Sequence, residues 1–189
     1  THRGVQMGPV RSCLFARGKP PRRVGKVLGC GGDGGILDLE DAGGRSEKVA
    51  TGAVLVEALK KDNATRTYVR VNGHHTEFCY GDLVAVVGAG LDGIVLPMVE
   101  SPAQLQAVDW LIANLERERG LEPGGIDLIP IIETGKGMAA LDAIAASGTR
   151  VRRLAFGAAD YALDMGFEWT TEEQELNDAR ARCVLACRA

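Results

Sequence analysis

A chain of 189 residues is long enough for one domain with a sizeable buried core. With 46% hydrophobic and 25% charged residues it has the composition of an ordinary globular protein, and a net charge of only −3 argues against a nucleic-acid partner for the chain as a whole. No run of about 18 uninterrupted apolar residues is present, so neither a membrane-spanning helix nor a membrane partner is expected.

In chain order, the first feature is a basic start. Arg3, Arg11, Arg17, Lys19, Arg22, Arg23 and Lys26 all precede Asp33, the first acidic residue. Such a start fits a transit peptide. The stretches VRSCLF and VGKVL within it read as folded elements, however, which favours a local patch for a phosphorylated ligand. Short apolar runs then alternate with helix-like stretches. The runs are RSCLF (11–15), GGILDLE (34–40), TYVRVN (67–72), DGIVLPMVE (92–100), DLIPIIET (127–134) and RLAFGAAD (153–160). Helix-like stretches lie at 46–61, 101–120 and 138–148, and the tail TEEQELNDARARCVLACRA reads as a further helix. Ser101-Pro102 is a good helix start and Gly120 a good stop. Between them Leu105, Val108, Leu111, Ile112 and Leu115 recur at helical spacing, an inner stripe. The cysteines at 13, 30, 79, 183 and 187 are odd in number and show no C-x-x-C, so reduced thiols and a cytoplasmic location are expected.

The strand-like runs are nearly all apolar, which suits parallel strands covered by helices. About six βα units in succession mean an α/β protein, either doubly wound or a closed barrel. The run ends favour the barrel. Glu40 and Asp41, Arg70 and Asn72, Glu100, Glu133 and Asp160 all fall at or just beyond them, and in a TIM (β/α)8 barrel such ends converge on one mouth. A full barrel usually needs about 250 residues. The expectation is therefore a single barrel domain over residues 1–189, incomplete at its C-terminus.

Two stretches spell G-x-G-x-x-G: Gly29 to Gly34 and Gly88 to Gly93. A dinucleotide turn needs strand, glycines, then helix, because the helix N-terminus holds the pyrophosphate. Here a helix-like segment precedes the glycines and a strand follows, in both cases. Helix C-caps explain them better, and the dinucleotide oxidoreductase stands as a remote alternative.

GGILDLEDA, TYVRVNG, LDGIVLPMVES, LIPIIETGKG and LAFGAADYALDMG, in this order, resemble the citrate lyase beta-subunit / malyl-CoA lyase family from about Arg11 to the last residue. The resemblance implies a magnesium-dependent barrel. It implies a carbon–carbon lyase that splits a 3-hydroxyacyl thioester (citryl-, malyl- or citramalyl-CoA-like) into a 2-oxo acid and an acyl thioester. Glu133 and Asp160 are then the Mg²⁺ ligands, and Arg70 grips the carboxylate of oxaloacetate, glyoxylate or pyruvate. Glu40 and Asp41 line the metal pocket, and the loop carrying Arg22, Arg23 and Lys26 takes the phosphates of coenzyme A. A homo-oligomer, trimer or hexamer, is expected. Such chemistry makes physical sense of these residues: both the developing carbonyl and the enolate oxygen need positive charge nearby, and Mg²⁺ prefers oxygen donors. Taken singly, Glu133 and Asp160 read better as helix-capping acids, Glu100 as cap or support, Asp38 as a structural barrel residue, and His74 and His75 as loop residues. The family commonly has lysine where this chain has Met98, and V-P-G where it has Ala16-Arg17-Gly18. The alternatives are an aldolase acting on free 2-oxo acids and a non-catalytic metal- or thioester-binding subunit.

Overall fold

Each apolar run becomes a parallel strand followed by a helix. The computed structural model describes residues 10–17, 21–29, 31–41, 45–60 and 65–189. The strands are β1 (Cys13–Arg17), β2 (Gly34–Asp38), β3 (Arg66–Arg70), β4 (Gly93–Leu96), β5 (Asp127–Ile132) and β6 (Ala155–Phe156). The helices are α1 (Pro21–Leu28), α2 (Arg45–Leu59), α3 (Cys79–Val86), α4 (Pro102–Glu118), α5 (Gly135–Ala139), α6 (Leu141–Ala145), α7 (Ala158–Met165) and α8 (Asn177–Ala186), with a 3-10 turn at Gln174–Leu176 before the last. The strands pair in sequence order, all parallel, as one curled α/β sheet, a half-barrel among the described residues.

Alternation along the strands divides the apolar residues between two faces. Leu37, Val69, Ile94, Leu96, Leu128 and Ile132 pack outward with helix residues such as Leu55, Leu83, Leu105 and Ile112. Ile36, Tyr68, Val95 and Ile131 form a second cluster on the concave face. Burial on both faces is why these strands read as unbroken apolar runs. A cavity of about 710 Å³ opens along the concave face, lined by Phe15, Ile36, Val95 and Ile131 among others.

α4 follows its sequence closely. Ser101 and Gln104 form a capping box, Pro102 opens the helix, and Leu105, Val108, Ile112 and Leu115 are buried, with Leu111 half-buried. Both glycine-rich stretches sit between a helix and the next strand, as their order demands: α1 to β2, and α3 to β4. Gly90 has φ of +90°, and a Cβ there would fall 2.0 Å from the Leu59 carbonyl oxygen. These are tight joints at the end of the sheet opposite the strand C-termini, not phosphate cradles.

Two stretches depart from expectation. The run 153–160 gives a strand of only two residues, because α7 starts at Ala158. Asp160 therefore lies in the first turn of a helix and not on a strand end. The stretch 138–148 folds as two short helices, the first beginning at Gly135. No helix among the described residues is long and apolar enough to cross a membrane. The four described cysteines, 13, 79, 183 and 187, are free thiols, and Cys30 lies outside the described residues.

Candidate active site

The strand C-termini carry the charge. Asp38 closes β2 and Arg70 closes β3, and the register pairs them directly. Arg70 Nε donates to Asp38 Oδ1 at 2.9 Å and Nη2 to Oδ2 at 2.8 Å, a two-pronged contact. Nη2 also reaches Asp41 Oδ2 at 3.2 Å, and Nη1 reaches Glu40 Oε2 at 2.7 Å. The Phe15 ring lies under the guanidinium, 5.2 Å from centre to Cζ. Burial works against the charge on Arg70, but its hydrogen bonds to Asp38 and the charges of Asp38, Glu40 and Asp41 hold its pKa above the ordinary value. A guanidinium has five N–H donors. Four are engaged by these contacts, so one, on Nη1, remains among the described residues. Glu40 has a raised pKa: burial leads, Arg70 opposes it, and the charges of Asp38, Asp41 and Asp160 add to the rise.

Glu133 follows β5 and is buried at 3% exposure. Its Oε1 accepts from the Met98 main-chain N–H at 2.7 Å, and Oε2 takes no hydrogen bond from the described residues. Gly157 makes room for it: a Cβ there would lie 2.5 Å from Oε2 and 2.6 Å from the Glu133 Cβ. Burial pushes the Glu133 carboxyl up to about 7; the Met98 N–H and Arg70 oppose this, while the charges of Glu40 and Asp160 add to it. Asp160 is exposed, in the first turn of α7, and its charge is felt by both Glu133 and Glu40. Thr134 caps α5 by accepting from the Gly137 N–H at 3.0 Å and donates its hydroxyl to Glu100 at 3.1 Å. Glu100 also pairs with Lys136 at 3.1 Å, so it steadies the loop after β5.

The residues present fit a hard divalent cation. No three carboxylate, imidazole or thiol groups among the described residues form a preformed cage. Mg²⁺ does not require one; it commonly uses one or two carboxylates with water and substrate oxygens. A buried acid with an uncommitted oxygen, its pKa raised by burial first and by two neighbouring carboxylates after it, is a group in want of positive charge.

Glu40, Asp41, Arg70, Glu133 and Asp160 thus share one electrostatic neighbourhood. Lys26 does not join it. It sits in the last turn of α1, toward the end where β2 begins. The side chains of Arg22 and Arg23, and residues 18–20, lie outside the described residues. His74 and His75 are exposed loop residues, as expected. Asn72 is buried, and its N–H and side-chain amide both donate to Asp82 at 2.9 and 2.6 Å, which ties the β3 end to α3. Sequence reasoning passed over three participants: Asp38 as the partner of Arg70, the Met98 main chain, and Gly157. Only Asp38 left a trace, through its alternation with Glu40.

The chain matches the model of the HpcH/HpaI aldolase/citrate lyase family over residues 11–189. It is 36% identical over 168 residues to an L-malyl-CoA/beta-methylmalyl-CoA lyase of Cereibacter sphaeroides, covering 86% of this chain and 52% of that protein. It is 34% identical over 181 residues to the citrate lyase subunit beta of Leuconostoc mesenteroides subsp. cremoris, covering 95% and 60%. The chain therefore spans about half to three fifths of the length of these relatives. Among solved structures, the protein CitE of Mycobacterium tuberculosis in complex with magnesium, acetoacetate and coenzyme A superposes with a TM-score of 0.73 at 26% identity, covering 93% of this chain and 61% of that one. By sequence over nearly its whole length, and by fold, the chain belongs to the HpcH/HpaI aldolase/citrate lyase family.

Proposed function

We propose that this chain carries the metal and oxo-acid site of a carbon–carbon lyase of the citrate lyase beta-subunit or malyl-CoA lyase type. Its substrate would be a 3-hydroxyacyl thioester, split into a 2-oxo acid and an acyl thioester. One observation carries the reading: buried Glu133 offers a free Oε2 within the electrostatic reach of Glu40 and Asp160, at the mouth that Arg70 also faces.

Glu133 and Asp160 would hold Mg²⁺. Bound there, the ion supplies positive charge to the carbonyl and enolate oxygens. The bond between C2 and C3 of the thioester breaks, its electron pair passes to the thioester as an enolate, and the 3-hydroxyl gives up its proton to become the carbonyl of the oxo acid. Protonation of the enolate at C2 completes the balance. Arg70 has an Nη1 N–H for the oxo acid's carboxylate, and Asp38 keeps its fork from turning away. Glu40, with its raised pKa and its place beside Arg70, is better suited than exposed Asp41 to hold a proton at the mouth.

Incubation with malyl- or citryl-CoA and Mg²⁺ tests this. The expected products are glyoxylate or oxaloacetate together with acetyl-CoA, reduced by Arg70→Ala. Release of free coenzyme A with no oxo acid would replace cleavage by hydrolysis and sink the reading. The remote position of Lys26 favours a second reading, an aldolase for free 2-oxo acids that needs no nucleotide contact. Protection of residues 16–26 from hydrogen exchange by coenzyme A would decide for the thioester, and no protection for the free acid.

A further inference from the structure

β4 ends with Leu96 paired to Pro130. Pro97 then has no N–H to continue the ladder. Main-chain pairing with β5 resumes at Val99, whose N–H donates to the Ile131 carbonyl at 3.3 Å. Continued in the same register, the ladder would bring the residue-98 N–H to the Ile131 carbonyl, so the β4 side carries one extra residue before pairing resumes. Pro97 and Met98 form a bulge, a feature that re-aims the main chain beside a site. Met98 has φ of 55°, in the left-handed region that a side chain disfavours. Among the described residues the only other non-glycine there is Glu173, half-buried at the start of the 3-10 turn.

The Met98 N–H, turned out of the ladder at this bulge, meets Glu133 Oε1 at 2.7 Å. The bulge is braced from outside. A Cβ on Gly137 would lie 2.5 Å from the Val99 carbonyl oxygen, so α5 packs directly against it. A strained backbone persists only where its surroundings over-determine it, and such positions cluster at working sites.

We propose that the Pro97–Met98 bulge is a positioning device: its left-handed main chain fixes Oε1 of Glu133 so that Oε2 is the oxygen presented to a divalent cation. The inference rests on the metal reading of Glu133 given above. It assigns the work to the main chain of residue 98 and not to its side chain. The identity of that residue then matters through its tolerance of positive φ.

The test uses Met98→Val, whose branched Cβ resists positive φ, against Met98→Gly and Met98→Asn, which accept it. Two readouts are taken on the full chain. In metal-free amide NMR, the residue-98 proton is expected downfield and slow to exchange in wild type, Gly and Asn. In Met98→Val and in Glu133→Ala it moves upfield and exchanges fast. In Mg²⁺ calorimetry, Met98→Val binds about 10–100-fold more weakly, while Gly and Asn stay close to wild type. A folded Met98→Val with wild-type Mg²⁺ affinity, or a wild-type amide that exchanges like an open loop, overturns the inference. A protected amide in a wild type that takes no Mg²⁺ overturns the metal reading instead, and only then the cation half of the inference. If Met98→Val does not fold, the amide's response to Glu133→Ala decides.

Discussion

Asp38 and Arg70 lie directly opposite each other in the β2–β3 register and lock through two hydrogen bonds, at 2.9 and 2.8 Å, with the Asp38 side chain only 4% exposed. Removing one partner of such a pair leaves the other charge without its mate in a dry place. Asp38→Asn is expected to destabilise the fold by about 2 kcal/mol or more, read from the urea midpoint. It should also weaken 2-oxo acid binding, since the fork loses its anchor. An unchanged midpoint would show that Glu40 and Asp41 hold Arg70 by themselves.

Gly157 has φ of −90°, which any residue adopts, so its role is space and not backbone freedom. Gly157→Ala would place a methyl group 2.5 Å from Glu133 Oε2. The expected result is a loss of Mg²⁺ affinity of about tenfold or more with the circular dichroism spectrum retained. Affinity equal to wild type would mean that Oε2 is not the ligating oxygen.

Gly90 is the opposite case, with φ of +90° and the Leu59 carbonyl oxygen 2.0 Å from any added Cβ. Gly90→Ala should lower stability by about 1–3 kcal/mol and leave NAD binding absent before and after. NAD binding by wild type that is lost in the variant would restore the dinucleotide reading of this stretch.

Burial pushes the Glu133 carboxyl up to about 7, from an ordinary 4.5. Between those values the native state binds more protons than the unfolded one, so stability falls as pH rises through the window. The stabilisation is fully present below 4.5 and lost as pH passes 7. In metal-free protein, Glu133→Gln should flatten that part of the stability profile. Mg²⁺ binding displaces the proton, so wild-type Mg²⁺ affinity should climb with pH across the same window. Affinity independent of pH there would contradict a buried, proton-holding Glu133.

The architecture was legible because β2 to β5 are largely buried on both faces, which leaves nearly all-apolar runs with helical stripes between them. The two glycine-rich joints were legible for a related reason: helix before and strand after is the wrong order for a phosphate cradle. Asp160 was harder. Its stretch reads as one strand, yet the strand stops after Phe156 and Asp160 enters the first turn of α7. The crowding of Arg70 by three carboxylates depends on cross-strand register, which alternation within one strand only half specifies. Met98 looked like a lost cation. Its contribution is a main-chain N–H aimed by a left-handed turn, and tertiary packing sets that turn, with no signal in the residue itself. Lys26 looked close to the mouth in sequence, but a helix advances about 1.5 Å per residue and carries it toward the far end.

The most direct test is titration calorimetry of Mg²⁺ with glyoxylate or oxaloacetate present, on wild type, Glu133→Gln and Asp160→Asn. One cation per chain in wild type, with binding lost in each variant, is the result expected. Wild-type binding by both variants would contradict a shared cation between Glu133 and Asp160.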